Sequence, residues 1–122
     1  MRICYVSNSF QDHDYKFLSK LSEKKYETYA VSISRKSLKD EYKLDNIHYF
    51  ELSKVYPRLS KKISGSSKLK YFFYFFWMFF AFIFLCQVIK KYKPSVLHGG
   101  YVPNVGFLCA LTGFRPFLLM PW

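Results

Sequence analysis

Beyond Glu51 the chain contains no aspartate or glutamate. All eight acidic residues lie in the first 51 positions, nearly balanced there by nine Lys and Arg, while the rest carries ten basic residues and no acid. The net charge of +11 therefore sits almost wholly in the second part, which can host no carboxylate acid–base pair and no oxygen-rich Ca²⁺ or Mg²⁺ cage of its own. Cysteine is scarce too. Cys4, Cys86 and Cys109 are widely spaced, form no C-x-x-C pair and have no adjacent histidine, which argues against a disulfide scaffold or structural zinc and leaves all three as apolar packing residues. With five glycines, neither G-x-G-x-x-G nor G-x-x-x-x-G-K-[ST] occurs, against a dinucleotide dehydrogenase or a P-loop NTPase. No acidic pair closes the first apolar run, against a metal-holding receiver domain. The opening Met-Arg-Ile-Cys-Tyr-Val shows no apolar signal region and no cleavage site, so the expected setting is the reducing cytoplasm.

What is present alternates. Ile3-Cys4-Tyr5-Val6 is a short continuous apolar run, as expected of a strand buried on both faces of a parallel sheet. Phe17, Leu18 and Leu21 fall at helical spacing and predict a helix from about Tyr15 to Lys25, with Asp12 or Asp14 to cap it. Thr28–Ile33 and Ile47–Leu52 read as further strands, separated by a polar loop with room for one helical turn, and Lys54 onward reads as basic loop. Gly65-Ser66-Ser67 breaks the chain before a long helix over 68–92, which Pro94 ends. Then come a strand at Ser95–Leu97, the turn His98-Gly99-Gly100, a helix over Pro103–Thr112 capped by Gly113, and a strand at Phe117–Met120. Such alternation predicts an α/β fold, a doubly wound Rossmann-like parallel sheet in a single domain over 1–122.

The long helix is the compositional extreme. Nineteen residues, Tyr71 to Ile89, carry no charge, and eleven of the fourteen from Tyr71 to Phe84 are aromatic. Nineteen helical residues span about 28 Å, against roughly 30 Å of bilayer hydrocarbon. Lys54, Arg58, Lys61, Lys62, Lys68 and Lys70 precede it and Lys90, Lys91 and Lys93 follow, so the flanks set no orientation. Three placements are open. The helix covers the sheet while its surplus aromatic face and the lysines touch an anionic membrane at the inner face; it spans at 71–89 in a small non-enzymatic membrane protein; or it is wholly core. The first is favoured, because a span would part the later strands from the earlier ones and leave neither group enough sheet to fold. A nucleic-acid partner is not expected, since the aromatics form one block instead of spaced stacking platforms.

In a doubly wound sheet ligands sit beyond the carboxyl ends of the strands. Ser7, Asn8 and Ser9 follow the first strand, and His98, Gly99, Gly100, Tyr101 and Asn104 follow the fourth. There the glycines admit close approach of a ligand to the backbone and the helix start offers free amides; a plain tight turn is the alternative. His48 reads as a strand residue, and His13 as a loop histidine able to swing toward the same region. No metal or cofactor is expected, and no general base is identifiable.

At these residues the chain resembles a family. Arg2-Ile3-Cys4-Tyr5-Val6-Ser7, Lys93-Pro94-Ser95-Val96-Leu97-His98, Gly106-Phe107-Leu108-Cys109-Ala110-Leu111 and Arg115-Pro116-Phe117-Leu118-Leu119-Met120-Pro121-Trp122 are similar, in that order, to the N-terminal domain of family-4 glycosyltransferases of the GT-B fold. The resemblance implies retaining transfer of a sugar from a nucleotide-sugar donor to a glycan or lipid-linked acceptor. This domain would hold the acceptor and a second Rossmann-like domain most of the donor, so the chain is expected to be an incomplete domain, inactive alone. It departs from the family twice. Ser7, Asn8 and Ser9 stand where members often carry a glycine-rich loop, and Trp122 stands where many carry a histidine at the reaction centre. Trp122 is therefore expected to line the substrate, since its ring can pack on a sugar face.

Overall fold

A computed structural model of the chain describes residues 1–61, 65–100 and 103–120. The elements follow in the order β1 (Arg2–Ser7), α1 (Asp12–Glu23), β2 (Glu27–Ser32), a 3₁₀ turn (Asp40–Tyr42), β3 (Ile47–Glu51), α2 (Leu52–Val55), α3 (Pro57–Ser60), α4 (Ser67–Tyr92), β4 (Val96–Gly99), α5 (Asn104–Leu111) and β5 (Phe117–Leu119). All five strands are parallel, in the order β3-β2-β1-β4-β5. This is the expected α/β, Rossmann-like sheet.

Alternation along β1 divides its side chains between two cores. Cys4 and Val6 face α4 and α5, joining Val31, Ile33, Trp77, Ala81, Leu85, Leu97, Val105 and Leu108. Tyr5 points to the other face and packs with Leu18 of α1, Ala30 and Ile47. A sheet covered on both faces explains why β1 and β2 bury five of their six residues and read as unbroken apolar runs.

Three boundaries differ from the sequence reading. β4 does not stop at Leu97: His98 and Gly99, read as part of a turn, continue the strand because they pair with Tyr5 and Val6 of β1. α1 starts three residues early, at Asp12, because the Asp14 carboxylate accepts the Gln11 amide at 2.9 Å and closes the first turn. α2 takes Leu52 from the end of the expected third strand and, with α3, occupies the start of the stretch read as basic loop from Lys54 onward, with Pro57 at the first position of α3. These helices pack through Tyr56 and Leu59 on the α4 side of the sheet. Elsewhere the stop signals act as expected: Lys93, just before Pro94, turns left-handed at φ 46°, and Gly113 ends α5 at φ 67°.

α4 runs against the strands. Its Trp77 indole donates to the Ile33 carbonyl at 2.8 Å, just past the carboxyl end of β2, and its Tyr92 carbonyl accepts from the Arg2 guanidinium at 3.3 Å, at the start of β1. By length and composition α4 is long and apolar enough to cross a membrane. In this fold it instead lays Trp77, Ala81, Phe84, Leu85 and Val88 on the sheet, and β1 pairs directly with β4. A crossing at 71–89 would separate those two strands.

Candidate functional site

β1 hands the chain to α1 on one face of the sheet, while β4 arrives from α4 on the other. The β1–β4 junction is thus the switch point, and a crevice opens beyond the carboxyl ends of the two strands. A cavity of about 340 Å³ lies there, lined by Ser7, Asn8, Ser9, Gln11, His13, Asp14, Gly100 and Asn104. Five of the expected residues, Ser7, Asn8, Ser9, Gly100 and Asn104, meet in it. A second cavity of about 520 Å³ shares Ser9, Gln11 and His13 and continues over the end of β2, past Ser32, Ser34, Lys36, Ser37 and Tyr42. Hydroxyls, amides and lysines line this cleft together with Phe10 and Leu38, a mixed surface that offers a ligand both hydrogen-bond partners and apolar contact.

The cleft is anchored by a buried polar pair. Asp14 is 1% exposed, and its carboxylate accepts the Tyr5 phenol on one oxygen and the Gln11 amide on the other. Burial first, and then the hydrogen bond to Asp14, raises the Tyr5 pKa, so the phenol stays protonated and donates. Gly100 rests on that phenol: a Cβ at this position would collide with the Tyr5 hydroxyl and ring. The Gly100 amide meanwhile donates to the Val6 carbonyl at 2.8 Å. Protein packing accounts for glycine at Gly100, where the sequence suggested close approach of a ligand.

His98 and Gly99 face elsewhere. The His98 ring packs edge-on against Phe17 at 4.7 Å and Tyr5 at 5.4 Å, between the sheet and α1. Burial there lowers its pKa and favours the neutral imidazole. At Gly99 a Cβ would meet Leu119 at 3.4 Å and Phe117 at 3.5 Å, on the neighbouring strand. Tyr101 and Trp122 lie outside the described residues. His48 stacks on Tyr29 at 5.3 Å, far from the cleft on β3. His13 does line the cleft, with its Nε2 3.4 Å from the Asp14 carboxylate.

Sequence reasoning missed Gln11 and Asp14 as cleft residues and treated Asp14 only as a helix cap. The available signal was an acidic residue placed between the switch-point strand and its helix.

Behind β2 and β3, the loop over Ser34–Lys39 is tied down by Glu51. Its carboxylate accepts Ser37 Oγ and the Leu38 amide, both at 2.8 Å, and pairs with Lys54 at 2.6 Å. Burial pushes the Glu51 carboxyl up, but Lys54, the Leu38 amide and Ser37 together outweigh it and hold the group below its ordinary range. This fixes one wall of the larger cavity. Among the described residues no cluster of three or more His, Cys, Asp or Glu is placed to hold a metal ion.

The chain has no match among curated proteins. Over residues 2–122 it matches the glycosyl transferase 4-like family. The match runs through every element of the sheet and through both loops that form the cleft, and the expected resemblance holds: the chain belongs to the glycosyl transferase 4-like family.

Proposed function

We propose that the chain is the acceptor-side domain of a retaining glycosyltransferase, and that the cleft beyond β1 and β4 receives the acceptor of a sugar transferred from a nucleotide-sugar donor. The observation that carries this reading is the cavity at the switch point, where Ser9 of the β1–α1 loop, His13 and Asp14 of α1 and Asn104 at the start of α5 converge. Hydroxyl, carboxylate, imidazole and amide groups are the partners a carbohydrate needs, and holding it in one orientation supplies much of the rate of a two-substrate transfer. The donor is a substrate, and the reading invokes no cofactor or metal. Most donor contacts belong to a second Rossmann-like domain, as the family resemblance implies.

The test is binding. Titrating the ¹⁵N-labelled chain with a panel of soluble glycans should shift the amides of Ser9, His13, Gly100 and Asn104 together, and Asn104→Ala should weaken the response several-fold with the fold intact. Shifts confined to other surfaces, or none across the panel, would overturn the assignment.

A further inference from the structure

α4 is longer than the sheet it covers. Trp77 sits level with the carboxyl end of β2, so the ten residues Ser67–Phe76 extend about 15 Å beyond it. This overhang is the aromatic part of the helix. Tyr71 is 76% exposed and Phe75 70% exposed, and Phe72, Phe76 and Phe79 are exposed with them. At 3.6 residues per turn, Phe72, Phe75, Phe76 and Phe79 form a stripe on the side of the helix opposite Trp77, Ala81, Phe84 and Val88. Phe107 of α5, 62% exposed, stands across a groove of about 510 Å³ whose walls are otherwise almost wholly apolar. A continuous apolar surface of this kind marks a docking site.

Charge identifies what docks. Lys68 and Lys70 occupy the first turn of α4 with no acid beside them, although cations oppose the helix dipole at an N-terminus. Arg58 and Lys61 lie at α3, which is held beside α4 by the Tyr56–Phe80 contact at 5.0 Å. Because no carboxylate follows Glu51, neither α4 nor α5 carries a charge that would repel an anion. Because the sheet covers the other side of α4, aromatic stripe, tyrosines and basic rim make one outward face of the domain, apolar in the middle and edged by cations, which is what a lipid surface accepts. The lysines at the tip also rule on orientation: driving the overhang end-on into the membrane would carry Lys68 and Lys70 into hydrocarbon, whereas lying flat leaves Lys68, on the stripe side, among the headgroups and Lys70, on the far side of the helix, in water.

We propose that the α4 stripe, with Phe107, docks flat on an anionic phospholipid bilayer. Docked in this way, the carboxyl edge and its cleft open along the membrane surface, and Asn104, which lines both the cleft and the α4–α5 groove, joins the two. The docking does not depend on sugar transfer.

Vesicle flotation of the purified chain tests it. The chain should float with phosphatidylcholine vesicles containing phosphatidylglycerol, fail to float with phosphatidylcholine alone, and be released by salt. Lys68→Gln should weaken binding roughly fivefold, the effect of one charge near the surface, and Lys70→Gln should weaken it less. Phe75→Ser with Phe79→Ser should abolish it while the melting temperature holds. Since paired serines on a helix risk the fold, Phe75→Trp provides a second readout: its added emission should shift to the blue on anionic vesicles and be quenched by brominated acyl chains. Equal flotation of parent and variants would overturn the proposal. So would a salt-resistant dimer that binds no vesicles and dissociates on Phe75→Ser, which would assign the stripe to a second copy of the chain.

Discussion

Tyr5, Asp14 and Gly100 form the joint on which the candidate cleft is built, and they make a prediction that separates packing from ligand binding. Tyr5→Phe leaves the buried Asp14 carboxylate one donor short and should cost about 1–3 kcal/mol in urea denaturation. Gly100→Ala forces a methyl group into the phenol and should cost a similar ~1–3 kcal/mol. Combining the two should recover only part of the loss, because the ring carbon Cζ also lies 2.6 Å from the added methyl. Full additivity would show that the two residues do not touch. A second prediction concerns His98. Burial lowers its pKa from 6.5, so below that value the unfolded chain binds a proton that the folded chain resists. The stability it contributes is complete above pH 6.5 and drains away as pH falls toward the folded pKa. Between about pH 7.5 and about pH 5.5 the melting temperature should fall more steeply for the parent than for His98→Gln; parallel curves would contradict the burial. At this scale the sequence revealed the strand-end residues Ser7, Asn8, Ser9, Gly100 and Asn104, because the carboxyl-end rule needs only strand positions. It did not reveal which way His98 points. One residue of register moves a side chain to the other face of a sheet, and the pairing of Tyr5 with His98 that sets this register is a contact between chain segments far apart in sequence.

Among the elements, α4 divides into a half that the fold needs and a half that it does not. Trp77 is 4% exposed, bonds the Ile33 carbonyl and carries the Arg35 guanidinium 5.6 Å above its ring. Trp77→Ala should cost about 3–5 kcal/mol, enough to unfold a marginal domain. Phe75→Ala, two residues away on the opposite side, should change stability by no more than about 0.5 kcal/mol. Thermal melts of the two variants decide the matter, and comparable losses would mean that the overhang is packed. Composition alone hid this division, since α4 is apolar all round and its aromatic residues show no preferred face. The strands were legible because Ile3–Val6 and Thr28–Ile33 are buried on both sides. α2 and α3 were not, because four-residue helices offer no period to read, and Lys54 and Arg58 look the same in a loop.

At the scale of the whole molecule, the sheet should open from its edge inward. β1 lies between β2 and β4 with both ladders satisfied, and both cores close over it. β5 has three residues, one paired neighbour, and exposed side chains at Leu118 and Leu119. Hydrogen exchange should therefore be fastest at β5 and slowest at β1, whose amides report the free energy of global unfolding. The cysteines give an independent reading of the same hierarchy. Burial pushes the Cys4 and Cys109 thiols up to about 12, so in the native protein they are hidden and un-ionised, and a thiolate reagent should meet neither. Cys86, half-buried on α4, should react first. Labelling of Cys4 should keep pace with the slowest β1 amides across a urea series, since both wait for the same opening. Rapid Cys4 labelling under native conditions would mean that α4 and α5 lift off the sheet without global unfolding, and the cleft, whose Asn104 wall belongs to α5, would then be a transient feature and not a standing one.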